Sequence, residues 1–350
     1  MNILFIIGIF TLFQLFVGTS NVWIKLGAVP LLLYCQKINF KVNIPSWFKK
    51  LTFLLILLRT IHLCYRFYIP ARPLEDLAIM NIKSIELLFK EGKNPYTHQV
   101  DSYCVSIKGE DKCFLGQKYP SFQMLVYAPG VLLFSNKEKS IYFTNLIFYL
   151  LTLFFFMKVF PDDRAHLAIF LFLSVDFIFT LNFHKGTNDL PASLLLFSGL
   201  YFSNGLLFGL SLAFKQLPAG IIFPYLLFNK NYKMALNALL TFGITQIPFM
   251  YWDFHSYFQN CFYFHLIRPA RETSFLIHLP HALSSSFLLL GFSLCLYFLY
   301  QARGKEFIWD KISLALSFFL LFNKMSPSHY FVWVVIPVIL WFCLAARKKV

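Results

Sequence analysis

Charge is what this sequence has least of. Asp, Glu, Lys and Arg make up 13% of its 350 residues, against about 25% in a soluble domain. So few charges exclude an ordinary globular core with a wet surface. In–out alternation is missing too. Runs such as LLTLFFFMKVF (150–160) do not give the dyad pattern that an outer-membrane barrel strand needs. No block of basic residues interleaved with aromatics stands outside the apolar runs, so the net charge of +15 does not read as a nucleic-acid surface. Basic loops on the cytoplasmic side of a membrane protein account for it. No CxxC or Cys/His pattern has zinc spacing. Residues 2–18 lack a basic leader and a small-x-small cleavage site, so they read as a retained span rather than a signal peptide. There is no internal repeat and no soluble domain.

What is present is apolar: 58% hydrophobic and 20% aromatic residues, in runs of about 15 to 20 that recur along the chain. The expectation is an all-α, polytopic membrane protein forming one transmembrane domain over 1–350, with about eleven to twelve transmembrane or re-entrant helices. Residues 36–50 hold four lysines and no acid, which marks the cytoplasmic side. Residues 51–69 then cross outward. The long polar stretch 70–120 becomes a large outer loop, and 252–282 a second outer region. Within the first, 77–91 repeats apolar side chains at Ala78, Ile82, Ile85 and Phe89. Asn81, Lys83, Glu86 and Lys90 take the other side, and Gly92 follows as a stop. This predicts a helix lying on the membrane surface.

One polar island, FHKGTND (183–189), lands on the cytoplasmic side if every segment crosses. It faces outward if 121–135 and 206–228, each broken by proline or glycine, are re-entrant. Five cysteines (Cys35, Cys64, Cys261, Cys295, Cys343) lie in or beside apolar runs and read as packing residues. Cys104 and Cys113 share the outer loop. They can pair as a disulfide in an oxidising compartment or remain two free thiols.

Chemistry is expected to begin at Glu75-Asp76, a carboxylate pair at a membrane–water boundary, where a general base would be well placed. Two turn-forming motifs follow: GKNPY (92–96) and KYPSF (118–122). An acid after a span, a G-x-NPY turn and a Tyr-Pro opening the next span resemble, in that order, the GT-C class of membrane glycosyltransferases. Three further stretches are similar to segments of that class: KGTND (185–189), GLSLAFKQLPAGIIFP (209–224) and SPSHYFVWVVIP (326–337). Ser121 stands where the class often has a second proline, and Glu-Asp replaces the common Asp-x-Asp or Asp-Asp. The resemblance implies transfer of a hexose such as mannose from a polyprenyl-phosphate donor to a lipid-linked or surface glycan acceptor. It puts the active site on the outer face, with Asp76 as base and Glu75 assisting.

The leaving group would be an anionic lipid phosphate, which needs cations more than a proton donor. Arg268 and Arg271 can grip phosphate oxygens in pairs. His265 lies nearby as a sugar or phosphate contact. Lys215, inside an apolar run, marks a functional site or snorkels to the surface. His184, Lys185, Asn188 and Asp189 form a polar patch for donor phosphate or acceptor hydroxyls. Asp176 would pair with one of these cations. Asn323, Lys324, His329 and Tyr330 flank a late break in the apolar pattern. His255, His265, His278 and His281 match no zinc signature, so no metal site is expected. No cofactor is required by default, and a divalent metal is left open. Membrane lipids are expected partners, nucleic acid is not. The bacterial inner membrane is preferred to the ER because no retrieval signal ends the chain. The rival readings are a transporter or lipid flippase, and a non-catalytic subunit of a membrane glycosylation complex.

Overall fold

The computed structural model describes residues 3–19, 21–38, 44–68, 74, 76–101, 103–107, 110–180, 185–268, 274–305, 308–324 and 327–345. Apart from one hairpin, the regular structure is helical: α1 (Ile3–Gly18), α2 (Val22–Lys25), α3 (Ala28–Cys35), α4 (Ser46–Tyr68) and α5 (Asp76–Lys90) come first. The hairpin β1 (Tyr103–Ile107) and β2 (Glu110–Phe114) follows, then α6 (Ser121–Leu133), α7 (Lys137–Val159), α8 (Arg164–Leu173) and α9 (Asp176–Ile178). The remainder is α10 (Asp189–Tyr201), α11 (Gly205–Phe214), α12 (Gln216–Phe228), α13 (Tyr232–Trp252), α14 (Phe254–Phe258), α15 (Phe264–Ile267), α16 (His281–Gln301), α17 (Trp309–Leu321) and α18 (Val332–Ala345).

Among the described residues, four helices (α4, α7, α13 and α16) are long and apolar enough to cross a membrane. The rest are shorter because proline, glycine or polar residues interrupt the apolar runs. In the centre lies α18, buried on every side from Val332 to Cys343. Its VWVVIPVILWFC sequence has no polar face to present, and a helix apolar all round is a core helix.

Side-chain contacts order the two ends of the bundle. Lys49 pairs with Asp163 at 2.6 Å, and Arg59 donates to the Leu173 carbonyl at 3.1 Å, so α4 and α8 run parallel. Lys139 lies over the rings of Phe67 and Tyr68, so α7 starts where α4 finishes. We call that end the upper end. Helix α6 does not cross the bundle. Gly130, near its end, packs on the Ser140 carbonyl in the first turn of α7. Its first residue, Ser121, is held by the Thr245 carbonyl and Gln246 of α13.

Helices α11 and α12 also turn back. Gly205 and Gly209 lie against the α13 backbone, where an added Cβ would come 2.6 Å from the Met234 carbonyl oxygen and 2.5 Å from that of Ala238. The small-xxx-small spacing lets the two helices approach this closely. The chain then reverses at Lys215, and α12 returns to Asn229 at the lower end. Neither 121–135 nor 206–228 therefore runs the length of the bundle in one pass, and 185–189 lies at the same end as α5. Gly186 fits there against Ala78 and Ile141, at a positive φ of 75° that suits glycine.

Three expectations change. The buried face of α5 includes Asn81 and Ser84, while Phe89 is exposed. The cause is Gln117, which donates to Asn81 Oδ1 at 3.2 Å and accepts from Ser84 Oγ at 2.9 Å. The helix thus packs under its own loop and against α6, rather than with an apolar stripe turned to lipid. The loop also holds an antiparallel hairpin, with Cys104 opposite Cys113 and a disulfide between them. Finally, Cys64 is exposed on α4 while Cys35, Cys261, Cys295 and Cys343 are buried.

Candidate functional site

Lys215 stands between α11 and α12 with an extended backbone (φ −152°, ψ 107°), which gives the reversal without glycine. Its side chain is fully enclosed and donates to Asp189 Oδ1 at 2.7 Å and Asn188 Oδ1 at 3.1 Å. Trp333 Nε1 donates to the same Asp189 oxygen at 3.0 Å. The Tyr330 ring stacks on Trp333, centroids 4.6 Å apart and planes 15° from parallel. The ammonium of Lys215 lies 4.5 Å from the Tyr330 centroid, 5.4 Å from Trp333 and 5.6 Å from Tyr119. An ammonium this deep needs a counter-charge and further partners to offset desolvation. Asp189, Asn188 and the rings supply them, so Lys215 does not snorkel.

The pair sits below the upper rim. Helix α11 runs parallel to α13 with Gly209 at Ala238, so Lys215 is level with about residue 244. That is eight residues short of Trp252, or roughly 12 Å at 1.5 Å per residue.

Beside the pair is a cavity of about 80 Å³. Its basic wall is Lys215, His265, Arg268 and Lys324; Tyr119, Gln216, Leu217, Asn323 and Tyr330 complete the lining. The charges differ in how they are compensated. Lys215 is paired with Asp189. His265 Nε2 lies 2.9 Å from the Lys118 carbonyl, which can only accept, so Nε2 carries the proton. Burial first, then the Arg268 guanidinium, holds the pKa of His265 down to about 3, which leaves the ring neutral. Lys324 donates to the Leu266 carbonyl at 3.0 Å, and burial and Arg268 lower its pKa. Arg268 is buried at the end of α15. Burial, reinforced by Tyr330, pushes the Tyr119 hydroxyl well above its ordinary pKa, and the two hydroxyls are hydrogen-bonded. Among the described lining groups, Arg268 and Lys324 are thus the cations left to meet an anion. Gln216 opens α12 at the cavity wall, so the positive end of that helix dipole adds to them.

Asp76 is the first residue of α5 and is exposed. Its charge is felt at Lys118, which is buried, paired with Asp101 and pulled upward in pKa by both acids against the larger lowering effect of burial. The contacts of Gly186 with Leu74 and Ala78 bring 185–189 alongside the same helix start. The structure therefore gathers Asp76, Lys185, Asn188, Asp189, Lys215, His265, Arg268 and Tyr330 at one end of the bundle.

Glu75, His184 and Arg271 lie outside the described residues, as do the side chains of His329 and His281. His329 itself is in the short helical turn Ser328–Phe331. Asp176 does not join the cavity cations. It pairs with Arg59 of α4 at 3.4 Å, because α8 delivers it alongside that helix. His255 bonds Gln259 and His278 lies against Trp23, so these histidines do not converge with His265. No group of three His, Cys, Asp or Glu that could hold a metal occurs among the described residues.

This chain matches no protein-family model, and neither a curated protein nor a solved structure is significantly similar to it. Trp333 and Lys118 were not singled out by sequence as site residues. An indole one turn after Tyr330, in a helix whose first half is otherwise aliphatic, was the available signal for the first. For Lys118 there was none, since its role depends on Asp101 and His265 arriving from elsewhere.

Proposed function

We propose that this chain is a multi-spanning membrane glycosyltransferase of the GT-C kind, moving a hexose from a polyprenyl-phosphate donor to a lipid-linked or surface acceptor. The observation that carries the reading is the cavity of about 80 Å³ with Arg268 and Lys324 on its wall, at the same end of the bundle as Asp76.

Asp76 takes the acceptor hydroxyl proton as the new oxygen–carbon bond forms at the anomeric carbon. The bond from that carbon to the phosphate oxygen breaks, and its electrons stay with the phosphate. A phosphodiester of charge −1 becomes a monoester approaching −2. Two uncompensated cations match the leaving group better than the bound donor, and groups that bind the transition state more strongly than the ground state lower the barrier. Direct displacement inverts the anomeric centre. In this reading the upper end faces outward, across a bacterial inner membrane from the lysine-rich 36–50 stretch.

The test is incubation of the purified protein in lipid vesicles with a polyprenyl-phosphate hexose carrying labelled sugar and a glycolipid extract as acceptor. Label moving to the extract, with polyprenyl phosphate released in equal amount, supports the reading. Donor that crosses the vesicle membrane intact, with no covalent change, would instead support a flippase.

A further inference from the structure

Two residues on the cavity wall carry a group of a kind that a bare phosphate does not use: Gln216, whose Oε1 is a buried acceptor with no partner among the described residues, and His265. Lys215, Arg268 and Lys324 all present N–H donors. His265 presents the opposite. Its Nε2–H is committed to the Lys118 carbonyl at 2.9 Å, so in the neutral ring Nδ1 keeps its lone pair and can only accept. The ring lines the cavity, is anchored between the Tyr119 and Phe264 rings, and makes no other hydrogen bond among the described residues.

We propose that His265 reads a hydroxyl group next to the bound phosphate, making the site selective for a sugar that carries a free hydroxyl at C2. The proposal rests on the glycosyl-transfer reading above. His265 and Arg268 line the same cavity, and the guanidinium is near enough for its charge to be felt at the imidazole, so the ring stands beside the place where phosphate oxygens would meet Arg268. In a sugar bonded to phosphate through C1, the C2 hydroxyl is the donor nearest to phosphorus. A donor sugar without it covers that acceptor and leaves it unpaired, and sites built to bond a hydroxyl discriminate strongly for that reason. Burial and Arg268 keep the ring neutral near pH 7, which preserves the lone pair there. Lys118 acts as the anchor: Asp101 holds its side chain while its carbonyl orients the imidazole.

The experiment compares a prenyl-phosphate hexose with its 2-deoxy counterpart, using the full-length protein in vesicles and measuring binding and consumption of each. The parent is expected to favour the hydroxyl-bearing compound by roughly tenfold to a hundredfold. His265→Gln keeps an N–H where Nε2 lies but moves its acceptor, the amide oxygen, off the Nδ1 position, and is expected to lose most of the preference. His265→Asn puts a carbonyl near the Nδ1 position and is expected to restore part of the preference. Equal use of both compounds by the parent overturns the proposal, and so does an unchanged preference in His265→Gln. If His265→Gln fails a thermal-unfolding check of its fold, the parent's preference and its retention in His265→Asn decide. If the parent neither binds nor consumes either compound, the glycosyl-transfer reading itself fails, and this inference with it.

Discussion

Lys215 Nζ lies 2.7 Å from Asp189 Oδ1, with both side chains sealed from solvent. This pair ties the start of α10 to the turn between α11 and α12, and Trp333 joins α18 to the same carboxylate. Removing one partner leaves the other charge buried and uncompensated. Lys215→Met or Asp189→Leu alone is expected to cost about 3–5 kcal/mol, and the double variant is expected to recover much of that loss. Thermal unfolding in detergent checks both statements.

Trp333→Phe keeps the ring stacked on Tyr330 but deletes the donor to Asp189. A loss of about 1–3 kcal/mol is expected, smaller than that for Lys215→Met because the ion pair survives. The same unfolding measurement ranks the two.

Gly209 lies so near the Ala238 carbonyl that a Cβ would stand 2.5 Å away, against backbone that cannot rotate aside. Gly209→Leu is therefore expected to separate α11 from α13 and move Lys215, which lies six residues further on. Lower expression and faster proteolysis at the 229–231 turn would report it, whereas Gly220→Leu, with open space around it, is expected to be tolerated.

Stability has a pH dependence of known sign. The folded pKa of His265, about 3, lies below the ordinary value of 6.5. As pH falls, the unfolded chain takes the proton first. The contribution is complete above about pH 6.5 and drains away between there and about pH 3. The unfolding temperature of the parent is expected to drop more steeply from pH 6.5 to about pH 4 than that of His265→Gln.

In the proposed transfer Arg268 would be the better phosphate ligand of the two unpaired cations, since a guanidinium can present two parallel N–H groups. Arg268→Lys keeps the charge but not the fork. It is expected to lower kcat/KM about tenfold to a hundredfold in the vesicle transfer assay, and Arg268→Ala about a hundredfold to a thousandfold.

How much of this was legible in the sequence depends on the distance between partners. Lys215 stood out because a charge within GLSLAFKQLP breaks the apolar pattern by itself, and Asp189 drew notice within KGTND. That they are partners could not be read, since 26 positions and a helical hairpin separate them. The proline and glycine breaks marked 121–135 and 206–228 as candidates for turning back, but the choice needed Ser121 against Gln246 and Gly205 against Met234. Periodicity misjudged Asn81 because a polar residue is buried there by Gln117, 36 positions later. The β-hairpin was missed for a different reason: its alternating pattern is short, and strands of five residues carry little signal beside two cysteines that could equally have stayed free.

In the proposed reaction Asp76 removes the acceptor proton while the basic cavity takes the departing phosphate. Its most direct test is the rate of hexose transfer by Asp76→Asn in vesicles, with binding of the polyprenyl-phosphate donor measured in parallel. Transfer is expected to be at least about a hundredfold slower, with donor binding within about threefold of the parent because the phosphate is held elsewhere. Transfer by Asp76→Asn at the parental rate would contradict it.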